Sequence, residues 1–406
     1  MNMNTALSRA SWLWGALLAL GCNTDVTLER SGNTCLKQIL GTYDSVLLAR
    51  RDDQTQWVSA ASSTDYARVD GPDGPLLASD SAASGSSAYG AALGCAVVSG
   101  GVWCFPLAGP VIDSTSFGAG LGTVTTNSAQ QVVTALGGGA PALAGATQIA
   151  GGMNGGGATF CAVTDDGRAW CWGYDPTGLL GHGDSDGASY ARPVLLAENS
   201  ELADVVELRV GFDSACARQS DGHVWCWGNN AYGQLGTLPA SETDQSAYAL
   251  QVVLPAAARR LAASPGNTHC AILEDTRVAC WGRNEYAQAG AASAELAVSP
   301  SLVLVAPGGP AFSGATDLAP DRGMRAMCAN TEHSGLWCWG DVLEGEDAGS
   351  PYPVQAVTTP QGRISVPLSA FGARDGKLLF VNANGRVVLG ASDPSAPPTM
   401  RQPPCP

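Results

Sequence analysis

Ten of the chain's thirteen cysteines fall into five pairs set nine or ten residues apart: Cys95/Cys104, Cys161/Cys171, Cys216/Cys226, Cys270/Cys280 and Cys328/Cys338. Each pair encloses a turn-forming stretch: Ser99-Gly100, Asp165-Asp166-Gly167, Ser220-Asp221-Gly222, Glu274-Asp275-Thr276 and Glu332-His333-Ser334. A β-hairpin centred on Asp166 sets Thr164 opposite Arg168, Ala162 opposite Trp170 and Cys161 opposite Cys171. Its three-residue loop ends on glycine, which suits a type I turn followed by a left-handed residue. In the nine-apart pair the loop shrinks to Ser99-Gly100, and the cysteines face each other again. Directly opposed residues on neighbouring strands come within disulfide reach. Metal ligation fits the spacing poorly, because CxxC pairs are absent and the chain has four histidines.

The same unit recurs without cysteine near both ends. Leu48 and Val58 hold the cysteine positions in "LARRDDQTQWV", with Trp57 in the place of Trp170. Leu379 and Leu389 do so in "LFVNANGRVVL", around Asn384-Gly385. Hairpins that recur at about 50-residue intervals mark a propeller or a solenoid. Side chains alternate along a strand, so Trp225 and Trp227 share one sheet face and Cys226 takes the other. Trp103, Trp170, Trp172, Trp281, Trp337 and Trp339 repeat the arrangement. Each tryptophan can bury about 150–250 Å² as a wedge between units. Gly228 and Gly233 allow the chain to bend sharply as it leaves the strand.

"ACARQSDGHVWCWGNNAYGQLG" closely resembles the repeat of the regulator of chromosome condensation family. Ala217, Gly222, Val224, Trp227, Gly228, Asn230, Gly233, Gln234, Leu235 and Gly236 sit on that pattern. The repeat at 161–183 matches at Ala162, Val163, Gly167, Trp172, Gly173, Gly178, Leu180 and Gly181. The repeats at 270–290 and 328–340 keep Trp281-Gly282 and Trp339-Gly340, and blur after them. The resemblance implies an all-β, seven-bladed β-propeller with four-stranded blades. The cysteine pairs depart from the family pattern and imply disulfide-stapled hairpins in an exported version.

The N-terminal "MNMNTALSRASWLWGALLALGC" carries Arg9, an apolar run from Trp12 to Leu20, and then Gly21-Cys22. The run is too short for a stop-transfer helix. It resembles a bacterial lipoprotein signal, with Ala19-Leu20-Gly21-Cys22 as lipobox, which implies cleavage before Cys22 and lipidation of its sulfur. An ordinary secretory signal cut after Gly21 is the alternative. Either reading takes the chain out of the cytosol, to a lipid anchor at the outer membrane or cell surface, or to secretion. The expected organisation is a signal at 1–21, a short tether at 22–34 and the propeller at 35–406. An oxidising compartment permits disulfides. Cys35 and Cys405 bracket the repeats and are expected to pair as a clasp. In a chain-entropy treatment a ring spanning nearly the whole chain gains about 6 kcal/mol, against about 3 for a short hairpin loop.

Function classes narrow by charge and by missing motifs. The formal net charge of −15 repels a polyanion, so nucleic acid is not an expected partner. No H-E-x-x-H motif appears, and the one G-x-S-x-G string, Gly183-Asp184-Ser185-Asp186-Gly187, sits in an acidic glycine loop and not at a strand-to-helix elbow. The glycine-rich stretch at 153–160 lacks the Lys-Ser/Thr of a phosphate loop and reads as a turn. Asp184 and Asp186 have D-x-D-G spacing, but the twelfth-position acid of a calcium loop is missing, which favours a solvated acidic loop. His182, His223, His269 and His333 fall at scattered turn or strand-edge positions, with His223 and His333 beside hairpin tips in solvent. No cofactor or metal is expected. The reading that remains is a non-enzymatic module that binds a protein or a glycan on loops of one propeller face, and touches membrane through its lipid only. Two alternatives are an enzyme, lyase or hydrolase, that uses loop carboxylates, and a nucleotide exchange factor by family analogy.

Peptide mapping of the non-reduced chain is expected to recover the five hairpin pairs and a Cys35–Cys405 link. Linkage between different repeats would remove the basis of the hairpin register.

Overall fold

The structure, a computed structural model, describes residues 36–390 apart from 42–45, 52–53, 55, 61–65, 72–73, 87–90, 109–128, 154–155, 239–243, 265, 292–295, 321–324, 332–334, 342–349, 356–370, 375–376 and 382–386. The expected signal and tether, Cys22, Cys35, Cys405 and His333 lie outside the described residues.

Every regular element among the described residues is a strand. The strands form six four-stranded sheets and one three-stranded sheet, with two further two-stranded ribbons. Each of the seven larger sheets is an antiparallel meander in which consecutive strands pair. Numbered in chain order, their first strands pack against one another in series, and each is called the inner strand of its sheet. No comparable packing joins the first sheet to the seventh among the described residues.

The hairpin register follows the cysteine spacing. Cys161 faces Cys171 and Ala162 faces Trp170, while Leu48 faces Val58 and Leu379 faces Leu389. Five disulfides, Cys95–Cys104, Cys161–Cys171, Cys216–Cys226, Cys270–Cys280 and Cys328–Cys338, bridge facing cysteines at Cα separations of 4.0–4.1 Å. Ser99 and Gly100 both adopt positive φ, 51° and 78°, as a two-residue hairpin loop with native twist requires. Gly167 and Gly222 take the left-handed position that ends the three-residue loops. Thr276 holds the same position at φ 67°, which a β-branched residue adopts only under strain. Its Oγ1 accepts the Gly314 N–H at 3.0 Å, which offsets part of that strain.

The tryptophans join neighbouring sheets. Trp172, Trp227, Trp281 and Trp339 are fully buried. Each packs in one apolar cluster with the disulfide of the preceding sheet: Trp172 with Cys95 and Cys104, Trp227 with Cys161 and Cys171, Trp281 with Cys216 and Cys226, and Trp339 with Cys270 and Cys280. Three of the indole N–H groups also donate to the preceding unit: Trp227 to the Leu179 carbonyl at 2.7 Å, Trp281 to Gln234 at 3.0 Å and Trp339 to Gln288 at 2.9 Å. Trp170, Trp225 and Trp337 are half-buried at the edges of these clusters.

The Cys328–Cys338 bridge departs from this arrangement. Both cysteines are buried, and Cys338 also pairs with Val354 on the outer strand of the sixth sheet. The sequence holds no tryptophan after Trp339, so no indole of the seventh sheet can reach this disulfide. The wedge series therefore stops at the sixth sheet, and the expected tryptophan packing behind a cysteine hairpin does not extend to Cys338.

The inner strands add a polar lock. In the third, fourth and fifth sheets a backbone N–H on the free edge of the inner strand donates to a side chain of the preceding inner strand. Ile149 N donates to Asp80, Leu208 N to Gln148 and Leu261 N to Glu207, at 3.0, 3.0 and 3.2 Å. In the fifth sheet Arg260 holds this position and pairs with Asp317 at 2.7 Å.

After each buried tryptophan comes a glycine: Gly173, Gly228, Gly282 and Gly340, with φ between 96° and 121°. Each sits at a register irregularity with the outer strand. A Cβ there would land on a carbonyl oxygen across the sheet: Ala158, Asp213, Asn267 or Arg325 respectively. That same carbonyl accepts the N–H of the residue after the glycine. The Trp-Gly pair is therefore a wedge followed by an obligatory bend.

Trp281→Ala is expected to lower unfolding free energy by about 3–5 kcal/mol. Gly228→Ala should lower it by roughly 3 kcal/mol, from backbone strain and a clash that cannot relax. Denaturant unfolding of both variants checks this; a Gly228→Ala loss below about 1 kcal/mol contradicts the bend.

Candidate functional site

The sheets present two ends to solvent. One end carries the tips of the disulfide hairpins, and its charges pair locally. Arg168 meets Glu201 at 3.2 Å, Asp221 meets His223 at 2.8 Å and Arg277 meets Asp275 at 2.6 Å. The Asp166 carboxyl is held below its usual pKa by the Thr164 hydroxyl, Asp221 by the His223 backbone N–H and Asp275 by the Arg277 side chain. These aspartates act as turn formers, and His223 is exposed as its position suggests.

The opposite end holds the Trp-Gly bends, and between the fourth and fifth sheets four loop segments converge on Asp213. Asp213 ends the turn between the strands Val205–Val210 and Ser214–Gln219. Its carbonyl accepts Asn229 N at 2.9 Å and the Thr177 hydroxyl, from the third sheet, at 3.2 Å. Its carboxylate receives the Gln234 amide at 3.3 Å and the Asn267 side chain. Burial pushes the Asp213 pKa up to about 6, against these hydrogen bonds and the nearby Arg283. Asn267 comes from the turn before the strand Thr268–Leu273, at φ 64°, and is 5% exposed. A carboxylate can only accept, so the Asn267 amide NH₂ faces Asp213, and Asn267 Oδ1 is left buried without a partner. Arg283, at the end of the strand Val278–Arg283, lies over the Tyr232 ring at 4.9 Å and pairs with Glu285 at 2.6 Å. Its Nε is buried and also lacks a partner. One sheet further on, Arg325 lies over Tyr286 at 4.6 Å and pairs with Asp341 at 3.3 Å.

Behind Asp213 the chain is closed. Ser214 Oγ and His269 Nε2 are 2.8 Å apart, and the His269 ring stacks on Trp281 at 5.9 Å. Both side chains are buried, so the pair supports the turn and is not presented to a substrate. His182 lies at a bend between strands and His269 at the start of a strand, as expected, and both are buried, with pKa values pushed down to about 3 by desolvation. Asp184 pairs with Arg192 at 3.0 Å, and its backbone neighbourhood is an ordinary turn. Among the described residues no group of three His, Cys, Asp or Glu side chains could hold a metal ion. In the sequence "VGFDSAC" reads as a glycine turn, and nothing local distinguishes Asp213 within it. The partners of that aspartate come from turns tens of residues away.

The repeat at 270–290 is sharper in three dimensions than its sequence. Asn230 Oδ1 accepts Leu235 N and Asn284 Oδ1 accepts Ala289 N; Gln234 and Gln288 accept the Tyr232 and Tyr286 N–H groups. Ala287 takes φ 61° where Gly233 has 75°. The expected blurring thus ends at side-chain identity, because Asn284, Gln288 and Gly290 preserve the bonds that shape the turn.

Comparison with known proteins places two matches to the Regulator of chromosome condensation (RCC1) repeat at residues 205–234 and 221–273, the segment that holds the Asp213 site. The human E3 ubiquitin-protein ligase HERC2 is 34% identical over 134 residues, which is 33% of this chain and 3% of that protein. The ultraviolet-B receptor UVR8 of Arabidopsis thaliana is 27% identical over 173 residues, 42% of this chain and 36% of the receptor. The chain thus spans a small part of one relative and about a third of the other. Two solved structures share the fold at 14% identity. Human WBSCR16 has TM-score 0.58 over 80% of this chain and 78% of its own. Prp20p of Saccharomyces cerevisiae, described with its binding properties to Gsp1p and histones, has TM-score 0.57 over 81% and 78%. The chain is RCC1-like in its repeats and in its propeller-type sheets.

Asp175 occupies the position of Asn230 and Asn284 in the third sheet's loop. Its buried carboxylate accepts Leu179 N and Leu180 N, and desolvation raises its pKa to about 6. A folded pKa above the ordinary 3.8 means that this contribution is complete below pH 3.8 and is lost as pH rises through 6. Asp175→Asn restores the neutral amide, whose Nδ2 can reach the carbonyl seven residues on, as Asn284 reaches Ala291 at 2.9 Å. The variant is expected to match wild type near pH 4 and to be more stable by on the order of 1–3 kcal/mol above pH 7. Paired melts from pH 4 to 8 test this; a constant difference across that range refutes it.

Proposed function

We propose that this RCC1-like chain is a non-enzymatic protein-binding module, a seven-bladed propeller displayed on the cell envelope by a lipid on Cys22. The observation that carries the binding reading is the end with the Trp-Gly bends. There tyrosine, arginine and carboxylate side chains from neighbouring sheets are held in fixed contact by backbone turns, on loops supported by a rigid disulfide-bridged scaffold. Tyrosine and arginine anchors of this kind dominate protein interfaces. Prp20p supports the reading by fold alone, and its partners are not carried over. The seven sheets in series support a propeller of seven blades, and a Cys35–Cys405 link would join the two ends of the series. Disulfides in five sheets and the apolar N-terminal run before Cys22 support export.

Two measurements test the reading. Added protease should remove the chain from the surface of intact cells, and mass analysis of the N-terminal peptide should find diacylglycerol on Cys22. Retention in the cytosol with reduced cysteines sinks the exported reading. Crosslinking of the full chain in its native envelope should trap a protein partner at Tyr232 or Tyr286; crosslinks confined to the hairpin tips would move the binding face to the other end.

A further inference from the structure

We infer that the junction of the fourth and fifth sheets is a socket for a cationic side chain, in which Asp213 and Asn267 grip a lysine or arginine projected by a basic partner protein. This rests on the reading of the chain as a protein-binding module and names the chemistry of the partner.

Three observations converge. First, Asp213 is half-buried and not sealed from solvent, and the hydrogen bonds to its carboxylate come from neutral donors, the Gln234 and Asn267 amides and its own backbone N–H. Second, Asn267 Oδ1 is a buried acceptor with nothing donating to it, and the rest of that amide touches Asp213. Buried acceptors left open are rare, and a second acceptor beside a carboxylate calls for a donor that carries several N–H groups and a positive charge. Ammonium and guanidinium groups have that character. Third, the nearest cation among the described residues acts on Asp213 only through space: the Arg283 guanidinium is drawn to Glu285 and the Tyr232 ring, and neither Asp213 nor Asn267 Oδ1 receives a hydrogen bond from it.

The surroundings favour the same sign. The described parts of the loops that join the third and outer strands of the third to fifth sheets carry Asp175, Asp184, Asp186, Asp244 and Glu285 and no Lys or Arg. With a net charge of −15 the chain steers cations toward itself and repels anions. The socket also depends on the fold's repeating bend, since Gly228 and Gly282 bring the Asp213 and Asn267 carbonyls against their neighbouring strands.

The test uses the full chain and a fluorescent oligoarginine peptide, read by anisotropy at physiological salt, beside an acetylated oligolysine peptide of the same length. Wild type should bind the cationic peptide and not the acetylated one. Asp213→Asn should weaken binding at least tenfold, and Asn267→Gly, which keeps the positive φ and removes Oδ1, severalfold. Asp275→Asn, at the opposite end, should leave affinity within twofold. If Asp213→Asn fails to fold by thermal melting, Asn267→Gly decides. Equal losses at Asp213 and Asp275 would mean diffuse attraction and overturn the socket, as would absent binding or equal binding of the acetylated peptide. A native partner crosslinked equally to wild type and Asp213→Asn would leave the binding module standing and remove the socket.

Discussion

The packing on which this architecture depends is a tryptophan buried in one apolar cluster with the disulfide of the sheet before it. A disulfide across a hairpin stiffens one sheet but does nothing to hold the next. The indole does that, because it is buried in one apolar cluster with the bridge and, in three of four cases, donates its N–H to a carbonyl of the preceding turn. Four successive junctions, from Trp172 to Trp339, use the apolar half of this device. Three of them also use the hydrogen bond, so orientation is fixed along with distance. Alternation along one strand sends tryptophan backward and cysteine forward, and each sheet receives from one neighbour what it gives to the other. The series has an end at the sixth sheet, because the sequence has no tryptophan after Trp339.

The glycine after the tryptophan converts that packing into a binding surface. Its positive φ turns the chain back over a carbonyl of the adjacent strand, and this contact fixes the turn that carries Asp213. A polar cluster assembled from four loops would ordinarily be mobile. Here each loop is tied to a sheet by backbone bonds, and the sheets are tied to each other by the inner-strand locks at Asp80, Gln148 and Glu207. The two ends consequently differ. Hairpin-tip charges find partners within two residues or on the adjoining loop and are satisfied, whereas the end with the bends keeps a desolvated carboxylate and an open amide oxygen.

Much of this is legible from residue order. Facing cysteines follow from a separation of nine or ten with a turn between, because a hairpin's register is set by its loop length. The wedge role of tryptophan follows from alternation, and the RCC1-type repeat from the spacing of Trp-Gly and Gly-x-Leu-Gly. The burial of His269 is not legible in the sequence for a plain reason. His269 follows a Pro-Gly-Asn-Thr stretch that reads as loop, and only the packing of Trp281 and Ser214 around the ring shows that it is core. The fifth repeat is underrated similarly, since its turn survives in three polar contacts even though Ala287 replaces a glycine.

What the sequence determined alone was local: which residues pair across each ribbon, which face each side chain takes, and where the backbone must bend. These depend on separations of about ten residues, for which spacing leaves little freedom. What the tertiary structure decided was non-local. Asp213 and Asn267 stand 54 positions apart along the chain (267 less 213) and meet because adjacent sheets are held at one fixed offset by an indole, a disulfide and a backbone bond. No pattern along the chain encodes that offset; it emerges only when all three contacts form together.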